Sequence, residues 1–139
     1  MYDKERIGII IRDINDYFAK LNDIKIKSAC DLDELKFDAV SMRIFFILNK
    51  TIDLGKEIVV SRNFGFPKSY GDIFNILGDK KFVSRKQEKE LVRLVFLRNQ
   101  ISHRYEGISD KELFKAKNDL KIVKDFIKII IQDIKKNDK

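Results

Sequence analysis

Apolar side chains recur every three or four residues over most of this 139-residue chain. An α-helix needs that period to gather them on one face, whereas a half-buried strand needs a period of two. With one proline and six glycines there is little to interrupt helices once started. The first helix is expected over about residues 3–28, with Ile7, Ile10, Ile11, Ile14, Phe18 and Leu21 inward and Arg12, Asp13, Asp16 and Lys20 outward. A second is expected from Asp31, capped by Asp31 with Glu34 reaching back, to about Ser61, through Leu35, Val40, Ile44, Ile47, Leu48, Ile52, Ile58 and Val59. Phe45 and Phe46 widen its apolar arc, which predicts neighbours on two sides. Residues 63–67 (N-F-G-F-P) break the pattern, and the two phenylalanines predict a loop packed down on the domain.

Three further capping pairs mark later helix starts: Ser69 with Asp72, Ser84 with Gln87, and Ser109 with Glu112. The first opens a short helix through Ile73, Phe74 and Leu77 that Gly78 is expected to end. The second opens a helix on Leu91, Leu94, Val95 and Ile101, with Gly107 as its terminator. The third opens one continuous final helix on Leu113, Ala116, Leu120, Val123, Phe126, Ile127, Ile130 and Ile134. The fold class is therefore all-α, an antiparallel helical bundle of four long helices with a short inserted helix. Residues 1–139 fit a single domain, large enough to bury a core without metal or disulfide.

The lone cysteine, Cys30, excludes an intrachain disulfide and reads as a small packing residue. No apolar run is long enough to span a bilayer, and the charged N-terminal residues do not resemble a signal peptide, so a cytoplasmic location without membrane association is expected. The formal net charge of +7 favours polyanionic partners, although part of it sits at Lys135, Lys136 and Lys139, which equally serve solubility.

Groups able to handle a proton or an anion concentrate at residues 98–105, R-N-Q-I-S-H-R-Y, which contain the only histidine. Asn99 and His103, four apart, share a helix face, whereas Arg98 and His103 lie about 140° apart around a regular axis. One chain alone would present them on either side of a groove; fraying near Gly107 or a facing second subunit would bring them to one ligand. Imidazole moves protons near neutral pH and guanidinium offers a charged fork to phosphate, the pairing that RNA cleavage through the 2′-hydroxyl needs without a metal. The plain structural alternative is a helix C-terminus whose cations answer the helix dipole.

This motif resembles the Arg-x4-His-x-Tyr motif of HepT-type toxins of the HEPN superfamily. The upstream F-G-F-P-K-S-Y-G-D-I-F-N-I-L-G resembles their G-x-P-x-S/T-Y-x-D-x-F-x-x-L segment, at matching spacing. Ile52 and Asp53 resemble the family's second-helix segment, although Lys56 stands where a histidine is often found. The resemblance covers about residues 40–131 closely and the first helix more loosely. It implies a homodimer whose two motifs face one cleft, and a metal-independent endoribonuclease acting as toxin of a type VII toxin–antitoxin system. It implies no cofactor and no metal, an RNA substrate, and a MntA-like nucleotidyltransferase antitoxin that silences the toxin by transferring AMP to Tyr105.

On the family pattern His103 takes acid–base catalysis, Arg98 phosphate binding and Asn99 orientation of the site. Asp53 is expected to position Arg98, or else to pair with Lys50 or Lys56 on the helix surface. Ser102 and Arg104 read equally as RNA contacts or ordinary helix-end residues, and Tyr70 as a packing residue. Two other readings stay open: a non-catalytic HEPN-type module binding RNA or a nucleotidyltransferase, and a helical interaction protein for an acidic partner.

Overall fold

A computed structural model describes residues 1–103 and 107–137. Its helices are α1 (Lys4–Asn22), a 3-10 turn (Ala29–Asp31), α2 (Glu34–Ser61), α3 (Tyr70–Asp79), α4 (Arg85–Ser102), α5 (Asp110–Asp119) and α6 (Lys121–Lys136). No strand occurs among the described residues. The 28-residue α2 is the spine, and α1, α3, α4 and α5 all pack against it.

The expected two-sided contact of α2 is present. Phe46 stacks on Tyr17 of α1, with ring centroids 3.6 Å apart, while Phe45 lies beneath the Arg98 guanidinium of α4 at 5.3 Å. On another side α3 comes in close over Gly55. A Cβ there would stand 2.9 Å from Ile73 Cγ2 and from Phe74 Cε1, inside van der Waals contact, so a side-chain-free position sets this approach. Phe74 then meets Phe126 of α6 edge to face at 5.9 Å, closing the core.

The first helix ends earlier than its pattern suggested. It stops at Asn22, and the Asp31 carboxylate instead accepts the Lys27 and Ser28 amides at 2.7 and 3.2 Å, folding the chain into the 3-10 turn. Asp33, not Asp31, caps α2, accepting the Lys36 amide at 2.8 Å. Leu35 consequently points outward and is 81% exposed.

Two helices end in the same way, with a left-handed residue just past the cap. Asn63 (φ 54°) follows α2 and Lys81 (φ 60°) follows α3. In each the next residue donates back across the end, Phe64 to the Val59 carbonyl and Phe82 to that of Leu77, both at 2.9 Å. This is the Schellman closure, which satisfies carbonyls the helix leaves open. The two phenylalanines that complete the closures pack edge to face on each other at 6.3 Å. Gly78 therefore does not end α3; it is buried, and its missing Cβ leaves room for the Glu88 carboxyl of α4. Of the two loop phenylalanines only Phe64 packs down, and Phe66 is 96% exposed.

The final helix is two. Leu120 is buried at the junction of α5 and α6. The apolar period continues across it with neither glycine nor proline, so the sequence carries no sign of the break. The C-terminal end of α6 is tied to α2 and to the N-terminal segment through Asp133, which accepts from Tyr2 Oη and from Arg62 Nη1, the latter at 2.5 Å.

Candidate functional site

Regular α-helical geometry is kept through Ser102, and His103 is the C-cap of α4. The helix thus ends five residues before Gly107, whose φ of +73° belongs to the following segment. The His103 amide closes the last turn on the Asn99 carbonyl at 3.0 Å. His103 is exposed at the end of the helix.

Arg98 is turned the other way, half-buried against α2 and α3. Its Nε donates to Asn49 Oδ1 at 2.9 Å and its Nη1 to Asn99 Oδ1 at 3.1 Å. The guanidinium lies 5.3 Å from the ring centroids of both Phe45 and Tyr70, where the negative faces of the rings attract it. Every described partner of Arg98 is neutral. A guanidinium has five N–H donors, of which two are used for placement among the described residues. The described residues therefore fix the orientation of this cation without compensating its charge.

Asn99 joins the pair: its side chain accepts from Arg98 and its carbonyl from His103. Asp53 does not take the expected place beside Arg98. Asn49, one turn earlier on α2, holds Nε instead. Asp53 is exposed and lines a shallow groove with Arg6, Ile9, Ile10 and Lys50. Lys50 itself pairs with Asp13 at 3.7 Å. Tyr70 is half-exposed over Arg98 rather than a packing residue of the core. Asn49 was not singled out by pattern, and Phe45, four residues earlier, only as part of the widened apolar arc of α2. The available signal was the widened arc of α2 around Phe45, with a polar residue one turn on. Ser102 is exposed at the end of α4. Arg104 and Tyr105 lie outside the described residues.

Beside Arg98 opens a groove of about 460 Å³, walled by Phe37, Met42 and Phe45 of α2, by Ile101 of α4, and by Ile108 beyond it. Asp38, Ser41, Gln100 and Ser102 supply its polar groups. No helix of the described residues is long and apolar enough to cross a membrane.

Several solved structures share this fold. One is YutE, a cytosolic protein of unknown function from Bacillus subtilis, at 23% identity over 99% of this chain and 95% of that one, with a TM-score of 0.83. Another is a tri-AMPylated HEPN toxin of Shewanella oneidensis in complex with an MNT antitoxin, at 22% identity over 95% and 99%, TM-score 0.84. A third is a toxin–antitoxin structure with AMP-PNP, at 20% identity over 91% and 97%, TM-score 0.82. At these identities the likeness is one of fold. No curated protein matches the sequence. The family model described as ribonuclease HepT-like matches residues 7–130, from the first core isoleucine of α1 to the last of α6, and the chain belongs to the HepT-like ribonuclease family.

Proposed function

We propose that the protein is the toxin of a toxin–antitoxin pair, an endoribonuclease that cleaves RNA without a metal at a cleft shared by two copies of the chain. The observation that carries this reading is Arg98, a guanidinium held by two neutral amides and two aromatic rings with its charge uncompensated among the described residues. An oriented, uncompensated cation suits a phosphate on which negative charge grows. The net charge of +7 attracts the polyanion from a distance.

In the cleft one His103 takes the proton from the ribose 2′-hydroxyl as that oxygen attacks the adjacent phosphorus. The P–O5′ bond breaks, the departing 5′-oxygen takes a proton from water, whose hydroxide recovers the proton held by His103, and a 2′,3′-cyclic phosphate and a 5′-hydroxyl remain. A half-buried Arg98 and an exposed His103 at the end of α4 suit a site completed by a second copy. A shared cleft sets each motif opposite the other. Acid–base help of this kind is worth about 10²–10⁴-fold. Asn99 orients the site through its side-chain oxygen, which accepts from Arg98 Nη1.

The antitoxin in this reading is a MntA-like nucleotidyltransferase that joins the α-phosphate of ATP to the Tyr105 oxygen and releases pyrophosphate. Support comes from the tyrosine of the motif and from the fold shared with a toxin that is itself tri-AMPylated beside an MNT antitoxin. Phosphate added within the motif would compete with RNA for the Arg98 donors and repel the polyanion.

Incubation with RNA in EDTA, beside His103→Ala, tests the chemistry. The wild type should leave cyclic-phosphate ends and the variant should lose at least about a hundredfold in rate. Equal cleavage by both removes His103 from the mechanism; binding without cleavage by the wild type would make the protein a non-catalytic RNA module. Coexpression with the nucleotidyltransferase should add AMP-sized masses to the wild type and none to Tyr105→Phe.

A further inference from the structure

We propose that the groove beside Arg98 is a nucleobase subsite, taking the base of the nucleotide whose phosphate Arg98 holds; the inference rests on the ribonuclease reading and extends it to substrate recognition. Phe45 is the shared wall, with its ring 5.3 Å from the Arg98 guanidinium and the same residue lining the groove. A phosphate on Arg98 therefore sits one side chain away from the opening. The volume of about 460 Å³ falls in the range of roughly 300–1,000 Å³ usual for small-ligand sites.

The chemistry of the walls matches a base better than a purely apolar ligand. Phe37, Phe45 and Met42 offer flat or pliable apolar surface for the ring, while Asp38, Ser41, Gln100 and Ser102 can meet its edge. Asp38 accepts only, so it favours an edge bearing an amino or imino N–H. The Ser41 hydroxyl supplies an independent observation, since it is buried without a hydrogen-bond partner among the described residues. A buried helical hydroxyl has an easy alternative, the carbonyl four residues back, and Thr51 on the same helix takes it, bonding the Ile47 carbonyl at 2.8 Å. Leaving such a group unpaired carries its full desolvation penalty. A rotation about its Cα–Cβ bond would turn Ser41 toward a base in the groove.

The same base-plus-phosphate chemistry has two sources: a nucleotide of the RNA, and the adenylate joined to Tyr105, which falls in sequence between the groove residues Ser102 and Gly107. The experiment has an arm for each. In the first, a random RNA pool is cut in EDTA by wild type, Asp38→Asn, Gln100→Ala and Ser41→Phe, and the bases flanking each cut are sequenced. Thermal melting and light scattering run on the same samples to record folding and oligomeric state. Wild type should show a base preference at one flanking position, and Asp38→Asn and Gln100→Ala should each change it by about 3–10-fold, the worth of one hydrogen bond. Cleavage that persists with an unchanged profile in all three variants overturns the subsite, as does a variant effect that tracks loss of the dimer. In the second arm the uncut protein is titrated with the four nucleoside 3′-monophosphates and with 5′-AMP. Saturable binding weakened at least tenfold in Ser41→Phe supports the subsite even if wild type fails to cleave, and that failure would count against the ribonuclease reading alone. No saturable binding of any nucleotide overturns it.

Discussion

Replacing Asn49 probes why the site holds its arginine with an amide. Asn49→Ala removes a hydrogen bond of 2.9 Å to a charged donor. Such bonds contribute roughly 1.5–3 kcal/mol, and half-exposure of Arg98 argues for the lower end. For a chain of this size a loss of about 1–1.5 kcal/mol lowers Tm by roughly 3–6 °C. Asn49→Asp keeps the acceptor and adds a carboxylate. At about 4 Å and an effective dielectric near 20, that charge attracts the guanidinium by about 4 kcal/mol before desolvation. Stability should be kept or rise by a few degrees. Activity should move the other way, because the added charge offsets the cation that phosphate needs. If RNA affinity depends on the free charge, Kd at 50 mM salt should weaken by at least tenfold for Asn49→Asp, and the salt dependence of binding should flatten. Melting curves and salt-dependent RNA binding on the same preparations check both. An Asn49→Asp protein that is less stable and binds RNA as the wild type does would refute the idea that neutrality at residue 49 serves the arginine.

Other consequences follow from the packing. Gly55→Ala gains up to about 1 kcal/mol of helix propensity but overpacks Ile73 and Phe74, at roughly 1–3 kcal/mol, so chemical denaturation should show a net loss. Lys81→Gly relieves the left-handed backbone at φ 60° and should raise stability by about 1 kcal/mol in the same assay. The Tyr2–Asp133–Arg62 cluster predicts pH dependence at both extremes. Burial pushes the Tyr2 hydroxyl up to about 12 from 10.0, helped by its bond to Asp133. Its stabilisation is therefore full below pH 10 and lost as pH rises toward 12, and Tyr2→Phe should flatten that limb of the melting profile. Asp133 is also pushed up by burial, but hydrogen bonds from Tyr2 and Arg62 outweigh this and hold it below 3.8. A carboxylate so depressed contributes above its unfolded pKa and loses its contribution as pH falls through the folded one. Asp133→Asn should weaken acid unfolding below about pH 4.

Most helix starts were legible because capping is local chemistry: Ser69, Ser84 and Ser109 each accept from the amide three residues on, whereas the break at Leu120 that makes two helices of the expected last one carries no such cap. The ends were harder. Asn63 and Lys81 take left-handed conformations that their residue types only weakly advertise, and Gly78, which looked like a terminator, answers to Glu88 across the helix pair. The same holds at the site. The motif on α4 is contiguous and could be read directly, whereas the partner of Arg98 comes from α2, 49 residues earlier, where one turn separates Asn49 from the expected Asp53. Choosing between them requires the relative rotation of two packed helices, which the spacing of apolar residues does not fix.

The most direct measurement of the central claim is subunit complementation in EDTA. Arg98→Ala and His103→Ala proteins, each folded and each inactive alone, are coexpressed with different affinity tags and the mixed dimer is purified. Its cleft keeps one intact Arg98 and one intact His103. The mixed dimer should regain RNA cleavage with cyclic-phosphate ends, at least tenfold above either parent. A mixed dimer as inactive as its parents, or a parent as active as the wild type, would contradict a shared Arg98–His103 site.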